Sequence, residues 1–192
     1  MPRFPTLEQP LRGTVATVRL AAEHDIPEVL IAHQDDPELH RRLGMNRPPS
    51  ASELGSRIEA AAHERRAGSG VWLTIVAADA SPPDRCGGQL DVIAVDWDHA
   101  RAELAVWVVP QERGRGLARE ALALAGRWLL SECGLVRVAV AAPADHLALI
   151  GAATAAGFER EGVLRSYVAG PAGRLDLVVM SMVAGDVSGS PG

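Results

Sequence analysis

The segment Gln111-Glu112-Arg113-Gly114-Arg115-Gly116 sets two glycines one residue apart, each preceded by an arginine, between an apolar stretch and an amphipathic one. Lacking a β-carbon, Gly114 and Gly116 let successive N–H groups turn to one side and form a concave donor site. A helix beginning directly after them adds its unpaired first-turn donors and the positive end of its dipole, which together suit a phosphate. Arg113 and Arg115 could add charge-assisted contacts outside the turn. By itself Gly-x-Gly fits a solvent-exposed turn equally well. It is neither a dinucleotide-binding fingerprint, which needs a third glycine where Arg119 stands, nor a phosphate-binding loop, which needs Gly-Lys-Ser/Thr.

Other chemistries are excluded by residue type. All 19 basic residues are arginine, so no lysine exists for a Walker-type phosphate contact or a Schiff base. The two cysteines, Cys86 and Cys133, lack metal-binding spacing and read as reduced thiols. Pro37 separates His33 from His40 by a helix break, and His24, His63 and His99 are scattered; surface positions and no metal are expected. A net charge of -5 argues against nucleic acid as partner and favours a cationic one.

These residues need a scaffold, and 192 residues suit one domain. No apolar run approaches the roughly 20 residues of a membrane span. The opening Met-Pro-Arg-Phe-Pro-Thr lacks a signal peptide's hydrophobic region, so a cytoplasmic protein is expected, and the alanine and arginine richness suggests a GC-rich bacterial genome.

Residues 1–13 read as a lead-in, followed by a strand at 14–20. Asp25 with Glu28 resembles a capping box opening a helix to His33, and 37–43 adds a short helical turn. Ser50 with Glu53 repeats the box before a longer helix that ends at Gly68. Strands follow at 71–77, 88–95 and 102–109, the last two joined by a hairpin connection in which Trp97 could edge a substrate cleft or a dimer contact. After the glycine loop, Leu117, Ala121, Leu124, Ala125, Trp128 and Leu129 share one face of a helix. A buried strand at 136–141 leads to a helix capped by Asp145 and ended by Gly157. Two strands, 162–169 and 174–183, joined by the turn 170–173, complete a single mixed α/β (α+β) domain over 14–184. The tail 185–192 has nothing to bury and is expected to be disordered.

At Gln111, Gly114 and Gly116 the chain resembles the GNAT superfamily of N-acetyltransferases, whose coenzyme A loop reads Gln/Arg-x-x-Gly-x-Gly/Ala. The resemblance spans most of the chain and is closest to the group containing the ribosomal-protein alanine N-acetyltransferases. It is carried also by Val18-Arg19-Leu20, by 102–107 before the loop, 118–122 after it, Ala156-Gly157-Phe158, 161–165 and Asp176. It implies a GNAT fold: a central mixed, mostly antiparallel sheet, splayed between the strands flanking the coenzyme A helix, with helices on both faces. It implies acetyl-CoA as co-substrate, with backbone groups around Trp107, Val108 and Val109 pairing with the pantetheine arm. Amides from Arg113 to Ala118, including Leu117, would hold the pyrophosphate.

The implied activity is acetyl transfer to a primary amine, a protein N-terminus or a small molecule, by direct attack, and a homodimer is compatible with that expectation. Glu103 is the expected base, since alternation places it with Ala105 and Trp107 and an acid occupies this position in the resembled group. An exposed carboxylate paired with Arg101 or another arginine is the bland alternative. The Val108 N–H is the expected oxyanion donor. His146 and Leu149 stand where the family has asparagine and serine, with His146 a coenzyme contact or a plain helix-start residue. Ala153 stands where many members carry an acid tyrosine, and Tyr167, on a later strand, is not promoted to that role. These departures keep open a second identity, a non-catalytic acyl-CoA-binding module. Asp35, Asp36 and Glu38 lend an acceptor cleft negative charge or form a solvated acidic face.

Overall fold

A computed structural model describes residues 4, 5, 7, 9–170 and 173–188. Residues 171 and 172 of the expected turn and 189–192 of the expected tail lie outside the described residues. Eight strands form one sheet: β1 (Leu11–Arg12), β2 (Ala16–Leu20), β3 (Val71–Ala77), β4 (Cys86–Asp96), β5 (Arg101–Val108), β6 (Arg137–Pro143), β7 (Glu159–Gly170) and β8 (Gly173–Val183). Their order is β1-β2-β3-β4-β5-β6-β8-β7. Only β5 and β6 pair in parallel, which requires a crossover, and α4 (Leu117–Ser131) supplies it.

Helices cover both faces, as the resemblance implies. On one side α4 buries Leu117, Ala121, Leu122, Ala125, Trp128 and Leu129 against Leu73, Ile75, Leu90 and Leu104 of the sheet. Removing one such leucine side chain costs about 2–5 kcal/mol. On the other side α1 (Ile26–Asp35), followed by the short α2 (Leu39–Arg42), and α3 (Ala51–Ala67) bring Val29 and Leu54 to Trp72 and Cys86. Strand β3 is therefore buried on both faces along its whole length. The Ser50/Glu53 box caps α3 as expected, and Gly68 ends it with φ 77°.

Glu120 of α4 ties this helix to the start of β2. Its carboxylate accepts from the N–H groups of Thr14, Val15 and Ala16 at 2.8, 2.6 and 2.5 Å.

Several local expectations are corrected. Asp25 does not cap α1: its carboxylate accepts from the Ala22 N–H and from Thr74 Oγ1, at 2.9 and 2.7 Å, and pairs with Arg19 at 2.7 Å. His146, not Asp145, caps α5 (Leu147–Ala155). Folded structure precedes residue 14, since β1 pairs with β2 and Phe4 is buried 5.2 Å from the Trp97 ring and 5.9 Å from that of Trp128. Trp97 is thereby drawn into the core, its Nε1 donating to Gly68 O at 2.7 Å, and edges no cleft. The tail begins with a short helix, α6 (Ala184–Ser188), where Asp186 accepts from the Val183 N–H at 2.8 Å. Strand β7 starts at Glu159, three residues before its expected position.

Candidate active site

Pairing between β5 and β6 is short: Arg101↔Arg137, Ala102↔Val138 and Glu103↔Ala139, and no further. Beyond this point β5 stays with β4 as far as Gly88↔Val108, while β6 stays with β8 as far as Pro143↔Leu177. The two strands part in a wedge, and a cavity of about 1210 Å³ passes through it, lined on its edges by Val106, Val108, Ala141 and Pro143.

The glycine loop closes one end. A 3-10 turn (Pro110–Glu112) leads to Gly114 at φ 77° and Gly116 at φ 86°, left-handed conformations that a β-carbon strains. No side chain caps Gly116, the residue before α4. The main-chain N–H groups from Gly114 to Arg119 find no acceptor among the described residues. Arg113, Gly114, Gly116, Leu117 and Ala118 line the cavity, so these main-chain donors border it.

Its arginines are engaged elsewhere. Arg115 binds Asp79 at 2.7 and 2.6 Å and also pairs with Glu112, a buried carboxylate that Arg85 reaches at 3.0 Å. Arg113 pairs with Asp36, which Arg42 also holds, and Gln111 Nε2 reaches Asp35 at 2.5 Å. Burial alone would raise the Asp36 carboxyl; the hydrogen bonds from Arg113 and Arg42 outweigh it and hold it below the usual carboxylate range. The acidic residues at the end of α1 thus clamp the loop. Arg119, which stands where a dinucleotide-binding fingerprint has glycine, lines the cavity with no hydrogen bond or ion pair among the described residues.

Backbone direction revises the expected partners in the gap. The Val109 N–H donates to Gly87 O on β4 at 3.0 Å, and its carbonyl accepts from the Glu112 N–H at 3.0 Å. Successive residues of a strand aim their backbone groups at opposite edges, so Trp107 also faces β4, and Val106 and Val108 face the wedge. Arg113 Nε donating to Val108 O at 3.2 Å agrees with this. The backbone groups of Trp107 and Val109 are therefore committed to the sheet and the loop, and the N–H of Val108 is presented to the gap.

The face under α1 and α3 carries the titratable groups. Glu103 sits at the last paired position, on the face of Ala105 and Trp107, but is exposed and outside the cavity lining. It makes no hydrogen bond or ion pair with Arg101, which binds Asp96 at 3.1 Å; its charge acts on Arg137. Asp91, paired across β4–β5 with Ala105, does line the cavity. It meets Arg57 at 2.8 Å, and burial pushes its carboxyl above the usual range despite that partner. Arg57 in turn lies 4.1 Å over the Trp72 ring. Alternation along β4 brings Gln89 to the same face. His33 and His40, expected at the surface, are buried; His33 lines the cavity 6.2 Å from the Trp107 ring. Nothing local in the sequence marks Asp91, Gln89 or His33, because only the sheet register and the seating of α1 unite them.

Helix α5 forms the opposite wall with His146, Ala148, Leu149, Ala152 and Ala155. His146 Nδ1 accepts from the Leu149 N–H at 3.1 Å, so the neutral ring carries its proton on Nε2. Ala153 is turned fully into the core, and Tyr167 is exposed on β7 away from the cavity. Burial pushes the thiols of Cys86 and Cys133 up to about 12, out of reach of ordinary nucleophilic chemistry. Among the described residues, no helix is long and apolar enough to cross a membrane, and no three metal-ligating side chains come together.

Comparison with known proteins agrees with this geometry. The family model of the acetyltransferase (GNAT) domain matches residues 16–159. No curated protein matches the sequence significantly. Among solved structures, one from T. thermophilus assigned to the acetyltransferases is 26% identical, with a TM-score of 0.76 over 98% of this chain and 95% of that one. The microcin C7 self-immunity acetyltransferase MccE, in complex with acetyl-CoA and AMP, is 19% identical with a TM-score of 0.75 over 89% and 93%. The Salmonella typhimurium enzyme that modifies the N-terminal serine of ribosomal protein L7/L12 is 15% identical, with a TM-score of 0.76 over 91% and 99%.

Proposed function

Because this chain belongs to the GNAT acetyltransferase family, we propose that it transfers an acetyl group from acetyl-CoA to a primary amine by direct attack, without a covalent enzyme intermediate. One observation carries the proposal: the wedge between β5 and β6 is continuous with both the glycine loop and the face bearing Asp91. Donor and acceptor thus approach from opposite sides of a strand whose free edge presents an N–H.

In this mechanism the amides from Gly114 to Ala118 hold the pyrophosphate, with Arg119 at hand for a further phosphate charge. His146 offers Nε2–H to the coenzyme from the opposite wall. The Val108 N–H stabilises the oxyanion as the amine adds to the thioester carbonyl. Glu103, at the rim of the same face, draws the amine's proton toward solvent through water. Closing off water inside the wedge strengthens each of these contacts.

The test is release of free CoA from acetyl-CoA across a panel of amines and peptides, measured against the hydrolysis blank. Release above the blank with any amine sustains the proposal, and none across the panel ends it. A second identity, a non-catalytic acyl-CoA-binding module, is favoured by one observation. The cavity-facing residues of α5 beyond His146 are Ala148, Leu149, Ala152 and Ala155, none of which can protonate a departing thiolate. Binding of acetyl-CoA without turnover would select it.

A further inference from the structure

The last turn of α1 goes against local preference. Asp35 and Asp36 stand at its C-terminal end, where the helix dipole is negative and disfavours a carboxylate. Both take partners from the glycine loop, 76 and 77 residues on: Gln111 Nε2 donates to Asp35 and Arg113 Nη2 to Asp36. Departures of this kind from local preference collect at functional sites. Asp36, its side chain 11% exposed, is shared by Arg113 and Arg42 and lies outside the cavity lining, so it acts only through those arginines. Arg113 also donates from Nε to Val108 O at 3.2 Å, and its guanidinium thereby joins α1 to the free edge of β5.

We propose that Asp36 is a positioning residue for acetyl transfer, holding the Val108 edge of β5 through Arg113 and tying it through Arg42 to the α1–α2 corner over the acceptor face. The proposal rests on the acetyl-transfer function above. Val108 needs such a brace because β6 leaves β5 after Glu103↔Ala139, so only β4 supports the strand end through its ladder. A sub-ångström drift of an oxyanion donor is enough to slow the step it serves.

The same corner grips the neighbours of Val108. Val109 is buried against Ala32 of α1 and Leu39 of α2, with Leu43 and Trp107 packed on that cluster. His33 of α1 lies 6.2 Å from the Trp107 ring. Three consecutive residues of the strand end are therefore held from one place, Trp107 and Val109 by packing and Val108 by the Arg113 bridge. Two arginines keep the Asp36 carboxyl ionised against its burial, so the bridge is charged at both ends. His33, Leu39 and Arg42 of this corner also line the cavity, which sets the brace between the acceptor side and the Val108 edge.

Asp36→Asn keeps the size of the side chain and removes its charge. Turnover is expected to fall about 10–100-fold, with the KM for acetyl-CoA within threefold, since main-chain amides and not Asp36 hold the pyrophosphate in the mechanism above. Asp36→Glu, which returns the charge between two flexible guanidinium groups, should recover turnover to within threefold of the parent. Arg113→Met should reproduce the loss, and the double variant should be no slower than the slower single, because both changes cut one link. Glu38→Gln, which removes a charge from the same corner at its pair with Arg41, should stay within twofold. The shift in melting temperature given by acetyl-CoA confirms that each variant is folded, and Arg113→Met carries the test if Asp36→Asn is not. The brace is also read without turnover: on the isotope-labelled chain free of ligand, Asp36→Asn should move the NMR resonance of the Val108 carbonyl carbon and leave that of Val18 in place. A Val108 resonance that stays put, unchanged turnover, a loss confined to the KM for acetyl-CoA, additive losses in the double variant, no recovery with Asp36→Glu, or an equal loss in Glu38→Gln overturns the proposal. If the Val108 resonance moves but the parent chain releases no CoA, the acetyl-transfer function falls and the brace on Val108 stands.

Discussion

The N–H of Val109 donates to the carbonyl of Gly87 on β4 at 3.0 Å, and this bond turns the N–H of Val108 toward the wedge that β6 leaves. Val108→Pro removes that N–H without touching the bond to β4. Turnover is expected to fall about 10²–10³-fold, the usual loss for one oxyanion donor, with acetyl-CoA affinity within a few-fold. Steady-state kinetics beside calorimetric titration with acetyl-CoA separates the two; an equal loss of affinity would assign the N–H to the coenzyme arm.

Glu103 is placed at the rim and not inside the cavity, so its contribution should be to proton removal alone. Glu103→Gln is expected to lower turnover about 10-fold or more, with unchanged acetyl-CoA binding. A rate equal to that of the parent chain removes Glu103 from the mechanism.

Gly88 lies opposite Val108 in the ladder, where a β-carbon would sit 2.3 Å from Trp107 O and 2.9 Å from Val108 Cα. These are backbone atoms, which cannot swing aside. Gly88→Ala should destabilise by about 1–3 kcal/mol in urea unfolding and lower acetyl transfer, because the strand edge carrying the Val108 N–H, the proposed oxyanion donor, must shift.

The Glu120 carboxylate serves three backbone donors at the start of β2. Burial alone would raise this carboxyl; the bonds from Thr14, Ala16 and Val15 outweigh it and hold it below its ordinary value. A depressed folded pKa gives stability that is complete above the ordinary glutamate range and is lost as pH falls through the folded value. Glu120→Ala should therefore cost about 2–3 kcal/mol near pH 7, with a gap from the parent that closes as pH falls through and below the ordinary glutamate range. Urea unfolding across that range measures it, and a gap independent of pH would mean that charge is not involved.

His146 caps α5 through Nδ1 and lines the cavity, where the proposed coenzyme contact would use Nε2. His146→Ala is expected to lose about 1 kcal/mol of stability from the cap and to weaken acetyl-CoA binding. His146→Asn, whose side chain can cap and donate, should recover both. Recovery of stability without recovery of affinity would leave His146 as a cap only.

The sequence by itself determined the scaffold of the glycine loop. Apolar alternation before Pro110, helical spacing after Gly116 and two glycines between them are local features, dictated by main-chain sterics and helix-end chemistry within a dozen residues. The Ser50/Glu53 box was legible for the same reason. Asp25 was misread because its partners, Arg19 and Thr74, are brought to it by the β2–β3 register, which a capping pattern does not reveal. Alternation also told that Glu103, Ala105 and Trp107 share a face, yet not which edge of β5 would lose its partner. Only the tertiary structure decided that Val108 and not Val109 faces the wedge, that Asp36 clamps Arg113, and that Asp91, Gln89 and His33 meet in one cavity. Each of these depends on residues far apart in the chain, whose approach is settled by strand register and by the burial of α1 and α3 against the sheet.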